Sequence, residues 1–375
     1  MRKNVSKHSV MLMEFDWMLF IVTIALSLFG IVAIYSATRT LGSNTNVIVQ
    51  SAAFALGIGM MLFLCFFDYE QFASLIKPIY IFCVAILILV LVIGVAGDWG
   101  SRSWIRIGAI GIQPAEIAKV GFIITFSYHL SKVHEKINRF LILLGLVLHV
   151  AVFLVLILLQ PDAGSAMVFC FIFASMLFVA KLSYKIIIPA LAAGIAAVPL
   201  VYTFLLSEFQ QKRIQVFLNP DLDPLGRGYN VIQSKIAVGS GQIYGKGFLE
   251  GTQNQMGYLP TKYTDFIFST IGEEFGFIGA ILIVLALFFI IYKCVKIAQK
   301  ADNVFGRYIC VGVAAMLLFH TVENVGMCMG LLPVTGIPLP FISYGGTSLL
   351  TNMIGIGLVL SVAYHNKPRS IFEVY

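Results

Sequence analysis

The sequence predicts an all-α, polytopic membrane protein: about ten transmembrane helices with one long extracellular loop, in a single domain over residues 1–375. Three observations predict it. Hydrophobic residues make up 59% of the chain and charged residues 11%, roughly half the charge of a soluble domain. Apolar runs long enough to span ~30 Å of hydrocarbon recur along the whole sequence. Basic residues gather in alternate short loops between them. Such a chain could not keep its surface wet in water, so the bilayer is its solvent.

The runs fall at 17–37, 47–67, 78–96, 115–130 and 140–159, and then at 165–180, 186–206, 275–292, 308–329 and 347–364. The fourth and sixth are short, which leaves a count of eight or nine open. Residues 1–15 are basic and polar, and no small-residue cleavage site follows the first run, which therefore reads as a retained helix rather than a signal peptide. With the N-terminus inside, Arg2, Lys3, Lys7, Lys77, Lys132, Lys136, Arg139, Lys181, Lys185, Lys293, Lys296, Lys300, Arg307, Lys367 and Arg369 fall on the cytoplasmic side. The short outer loops keep Arg39, Arg102 and Arg106. Both termini are thus expected in the cytoplasm. The net charge of +7 follows from these loops and does not point to nucleic acid. Cys65, Cys83, Cys170, Cys294, Cys310 and Cys328 sit in apolar runs or a short basic loop, have no metal-ligand spacing, and read as small apolar fillers.

One outer segment, 207–264, is far longer than a tight helix connection. It carries Lys212, Arg213, Arg227, Lys235, Lys246 and Lys262, with apolar residues such as Ile214, Val216 and Phe217 interleaved. The stretch 229–237 alternates in a helix-like way, so amphipathic pieces are expected at the headgroup level. The segment 333–340 holds three prolines and Gly336. It cannot continue a helix and must form a rigid outer loop or re-entrant turn. No internal repeat of the transporter kind is present.

Ionisable groups in hydrocarbon cost about 2.5–3.5 kcal/mol even on the gentlest scale, so each needs a reason. Glu116 and Lys119 lie three apart and share a helix face, either as a structural ion pair or as a site. Asp162, in Gln160-Pro161-Asp162-Ala163-Gly164, either caps the sixth helix or lines the outer face. His320, Glu323 and Asn324 lie in the ninth helix, while His149 reads as structural. Asp265 precedes the eighth helix, and Glu273 and Glu274 come two turns later. Carboxylates and the cations Arg102, Arg106, Lys119, Lys212 and Arg213 thus share the outer half. This mixture suits a phosphate-bearing, lipid-linked substrate: cations neutralise a pyrophosphate and a carboxylate accepts a proton. It equally suits a flippase or an ion-coupled carrier of anions. Neither a covalent nucleophile nor a zinc cluster is apparent.

Several blocks resemble the SEDS (shape, elongation, division and sporulation) family of bacterial peptidoglycan glycosyltransferases. These are Gly100–Ile105, Gln113–Lys119, Gln160–Gly164, Phe217–Pro220, Asp223–Gly226, Gly228–Val231, Gly251-Thr252-Gln253, Thr264–Phe268, Gly272-Glu273-Glu274 and Pro333–Gly346. The Gly-Thr-Gln triplet is closer to the elongation type than to the division type. The resemblance implies polymerisation of lipid II at the outer face of the membrane, with Asp265 as the base. It implies Arg102 and Lys119 for pyrophosphate, Glu116 to orient Lys119, and Asp162, Arg213, Glu273, Glu274, His320, Asn324 and Ser343 around the substrate cavity. It further implies a class B penicillin-binding protein as partner, with other elongation-complex proteins. A divalent cation, Mg or Mn, would add to the lysine and arginine charge, which the sequence leaves open. A lipid II flippase or a non-catalytic scaffold are the alternatives. Two positions depart from the family: Thr261-Lys262-Tyr263 stands where Glu-x-His is usual, which puts an assisting histidine in doubt, and Thr347 replaces a serine.

Overall fold

The computed structural model describes residues 15–95, 103–107, 110–205, 208–219, 222–223 and 226–366. Ten bundle helices are present among them: α1 (Trp17–Thr38), α2 (Thr45–Phe66), α3 (Ile76–Ile93), α4 (Pro114–Val133), α5 (Phe140–Leu158), α6 (Ala163–Val179), α7 (Tyr184–Leu200), α11 (Ile267–Lys300), α12 (Val304–Cys328) and α13 (Gly346–His365). Eight of these are long and apolar enough to cross a membrane, α7 being extended by a π-turn to Phe204. The other two explain the short runs in the sequence. α6 is apolar but has 17 residues, and α4 carries Glu116, Lys119 and Lys132.

α4 tolerates those charges because it lies inside the bundle, with most of its residues buried. It packs on α3 and α12, while α13 lies along α2 and α11 along α12. The most apolar stretches of α12 and α13 are 72% buried, whereas the corresponding stretch of α7 has no buried residue. Helix starts follow ordinary capping rules. Leu19 N donates to Asp16 Oδ1 (3.1 Å), Phe305 N donates to Asn303 Oδ1 (2.9 Å), and Pro114 stands in the first turn of α4.

The long segment contains three helices, α8 (Glu208–Leu218), α9 (Arg227–Ser240) and the single turn α10 (Thr252–Gln255). The amphipathic piece expected at 229–237 is α9. A short antiparallel pair, β1 (Ile105–Ile107) with β2 (Ile110–Ile112), lies between α3 and α4, and the sequence reading did not anticipate it. The eighth run also begins earlier than expected. α11 starts at Ile267, not Phe275, and breaks at Gly276, whose φ of 64° and ψ of −164° are non-helical. The break is filled by the preceding loop: Lys246 N and Gly247 N donate to the carbonyls of Glu273 and Glu274 (3.0 Å each), and Phe277 N donates to Gln242 O (2.8 Å). Apolar residues resume after Gly276, which is why hydropathy placed the start there.

Residues 333–345 enter the bundle without forming a helix. Ile342 and Leu339 are buried, and the segment passes so close to α1 that a Cβ on Gly30 would lie 2.7 Å from the Ile342 Cα. The re-entrant turn predicted from the prolines is therefore a packed wall, not a surface hairpin.

Candidate functional site

The re-entrant wall organises the polar residues around it. Its backbone supplies acceptors that hydrocarbon cannot satisfy, so side chains from several helices reach in. Asn324 of α12 donates through Nδ2 to Ile337 O and to Asp265 O (2.8 Å each). Gln50 of α2 donates to Ser343 O (3.2 Å) and accepts from Gly345 N (3.1 Å). Ser343 Oγ accepts from Leu339 N (2.8 Å), and Thr335 Oγ1 donates to Glu323 Oε1 (2.9 Å). Tyr344 N donates to Tyr263 O (2.9 Å), tying the wall to the segment two residues before Asp265. Asp265 itself is buried, and the cap of α11 is Phe266.

One helical turn from Asn324, about 6 Å along α12, His320 Nε2 lies 2.9 Å from Lys119 Nζ. The ammonium also donates to Glu116 Oε1 at 2.6 Å, and Lys119 and Glu116 are 1% and 2% exposed. The second oxygen, Glu116 Oε2, has no hydrogen-bond partner. Structure thus joins Glu116, Lys119, His320, Asn324, Asp265 and Ser343 in one connected region, although Glu116 and Lys119 are 146 or more positions away from Asp265 in sequence. Asp162 is beside it as a cap: its oxygens accept from Ser165 N and Oγ (2.9 Å each), and Oδ2 also accepts from Gln113 Nε2 (3.2 Å).

Glu273 and Glu274 do something different. Glu273 Oε1 accepts from Lys246 Nζ (2.9 Å), Gln253 N (2.9 Å) and Thr252 Oγ1 (3.2 Å), and Oε2 accepts from Asn254 N (3.0 Å). Glu274 Oε1 accepts from Ser36 Oγ (2.5 Å) and Asn254 Nδ2 (2.7 Å). Both carboxylates hold the chain's own loop. Lys262 completes the clamp by donating to Asn254 O and to Thr40 Oγ1 (3.1 Å). Burial pushes the Lys262 ammonium below the usual lysine range, opposed by the charges of Glu274 and Glu273.

Sequence reasoning named Lys246 and Lys262 as loop charges but missed them as clamp partners, along with Ser36 and Asn254, and missed Gln50 as a support of the 333–345 wall. Two adjacent buried carboxylates require cations and amides nearby, and the loop lysines were the signal. His149, which reads as structural from the sequence, faces His129 (Nδ1 to Nδ1, 3.2 Å) and Thr125 Oγ1 (3.2 Å). Arg102 lies outside the described residues, and Arg213 is placed only by its backbone in α8. Among the described residues no three His, Cys, Asp or Glu side chains come together to hold a metal ion.

Comparison with known proteins fits this architecture. The chain is 36% identical over 363 residues to the "Probable peptidoglycan glycosyltransferase FtsW" of Trichlorobacter lovleyi, covering 94% of each. It is 34% identical over 359 residues to the "Peptidoglycan glycosyltransferase MrdB" of Escherichia coli K12, covering 95% of each. The two identities do not separate the two types. Among solved structures, it resembles a chain from work on the "structural coordination of polymerization and crosslinking by a peptidoglycan synthase complex", with TM-score 0.80 and 30% identity over 94% of this chain and 99% of that one. It also resembles the rod shape determining protein RodA of Thermus thermophilus, with TM-score 0.70 and 28% identity over 94% and 98%. Residues 16–368 match the profile of the cell cycle proteins FtsW, RodA and SpoVE, and the chain belongs to that family of multi-pass membrane proteins.

Proposed function

We propose that this chain polymerises lipid II into peptidoglycan glycan strands at the outer face of the bacterial cytoplasmic membrane, with both termini in the cytoplasm. The observation that carries the reading is the tether of Asp265 by Asn324, one turn from the buried Lys119–Glu116–His320 group. A carboxylate on a backbone fixed from two sides is the preorganisation a general base needs.

In this reading the Asp265 carboxylate accepts the proton of the acceptor sugar 4-hydroxyl. The freed oxygen attacks the donor's anomeric carbon from the face opposite the leaving group. A new β-1,4 bond forms, the bond to undecaprenyl pyrophosphate breaks, and the configuration inverts. Lys119 is buried and shares its charge with Glu116, so it acts on the leaving group through its field rather than by contact. Contact with the pyrophosphate is assigned to Arg102 and Arg213. Glu273, Glu274, Asp162 and Ser343 hold the scaffold and do not touch substrate.

The names of the relatives support an elongation or division role, and the Gly251-Thr252-Gln253 triplet favours elongation. The synthase-complex likeness supports a cross-linking partner, for which a class B penicillin-binding protein is the fit. The test is lipid II polymerisation by the purified protein, with and without such a partner, comparing wild type with Asp265→Ala. Strands from wild type and none from a folded variant are expected. No strands from wild type with its partner would overturn the polymerase reading in favour of lipid transport or scaffolding.

A further inference from the structure

The opposite end of the bundle carries a feature that glycan synthesis does not use. His134, at the close of α4, is fifteen residues beyond Lys119, about 22 Å along the helix. There the loop 134–139 meets the turn between α6 and α7, joined by Ser183 N donating to Asn138 Oδ1 (2.8 Å). Lys136, Arg139 and Lys181 are exposed on these two connections and Lys185 in the first turn of α7, with Glu135 the one acid among them. Among the described residues none of the four cations has a carboxylate within ion-pair distance.

Lys181 and Lys185 flank a shallow recess in the turn between α6 and α7, lined also by Phe178, Leu182, Ser183 and Tyr184. Lys181 is placed there at a conformational cost. Its φ is +62°, the left-handed position after a helix that glycine ordinarily fills. That conformation closes α6, with Leu182 N donating to Leu177 O and Lys181 N to Phe178 O (3.1 Å each). Below the cations the surface turns apolar. Phe178 and Tyr184 are 59% and 65% exposed, and α7 beyond them buries no residue.

We propose that this recess binds an anionic phospholipid, its phosphodiester between Lys181 and Lys185 and its acyl chains against Phe178 and Tyr184. Charge complementarity selects an anionic headgroup, and the apolar flank selects a lipid over a free anion. Attraction by each lysine near a membrane surface corresponds to about fivefold in affinity.

The experiment is native mass spectrometry of the full chain in neutral detergent, titrated with phosphatidylglycerol, phosphatidylcholine or inorganic phosphate. Wild type should retain phosphatidylglycerol in preference to phosphatidylcholine. The Lys181→Gln/Lys185→Gln variant should bind it roughly twenty-fold more weakly, while Lys77→Gln, an exposed cation in the first turn of α3, should bind like wild type. Lys181→Gly separates binding from capping: it should raise the melting temperature in lipid-free detergent yet weaken phosphatidylglycerol binding. Unchanged binding by the double variant, or an equal loss in Lys77→Gln, would overturn the site as mere general attraction. Inorganic phosphate protecting the protein as well as the lipid does would overturn the lipid assignment.

Discussion

Glu116 and Glu273 are both buried carboxylates paired with a lysine, and they are satisfied to different degrees. The Lys246–Glu273 pair reaches the surface on the lysine side, and every Glu273 oxygen is occupied by loop donors. The Lys119–Glu116 pair is inaccessible on both sides, and Glu116 Oε2 has no partner. A carboxylate with all its acceptor sites filled by its own chain is a staple. One left underfilled, beside a histidine and one turn from the tether of Asp265, retains capacity for electrostatic work. Burial alone does not distinguish the two, and neither does an open oxygen, since Glu274 Oε2 also lacks a partner; what sets Glu116 apart is its place beside His320 and the Asp265 tether.

The largest effect expected from breaking this comparison is at Lys119. Lys119→Met leaves Glu116 buried without a counter-charge, which costs about 3–5 kcal/mol and should appear as a large fall in Tm in detergent. Lys119→Met/Glu116→Gln removes both charges and should recover most of that stability while strand synthesis stays low. Recovery of synthesis in the double variant would reduce the pair to a structural tie.

Next is Glu273→Gln, which keeps the shape but weakens four hydrogen bonds and removes the partner of Lys246. A loss of about 1–3 kcal/mol is expected, with faster proteolysis of the loop before Asp265 as a second readout. Gly276→Ala sharpens the same point from the backbone. Its φ is +64°, and a Cβ there would lie 2.3 Å from Gly245 N. The clasp between loop and helix should loosen at a cost of about 1–3 kcal/mol, seen as quicker amide exchange at Lys246 and Gly247. At the bottom of the scale, Lys212 and Asp223 form an exposed pair at 3.8 Å. Lys212→Met should change the unfolding free energy by no more than about 0.5 kcal/mol, leaving Tm almost unmoved.

Much of the fold was legible from hydropathy, because the bilayer demands long apolar helices. Where the sequence misled, a local rule lost to a tertiary one. The start of α11 was misplaced because residues 267–275 are helical yet carry Glu273 and Glu274, whose charges the loop neutralises. β1 and β2 were invisible because three-residue strands leave no periodic signal. Glu116 and Lys119 were legible as a pair from their spacing, but their meeting with His320 depends on how α4 packs on α12. The roles of Glu273 and Glu274 could not be read, since an isolated sequence shows charges and not which backbone amides surround them. Asp265 was singled out by its motif, and its tether to Asn324 is seen in the structure.

The most direct measurement compares lipid II polymerisation by Asp265→Asn and Glu273→Gln, each scaled to its folded fraction from thermal unfolding. Asp265→Asn should unfold like wild type and make no strands, a loss of about 10²-fold or more, while Glu273→Gln should lose stability and keep the activity of whatever remains folded. Normal synthesis by folded Asp265→Asn, or a folded Glu273→Gln that makes none, would contradict the assignment of chemistry to one carboxylate and architecture to the other.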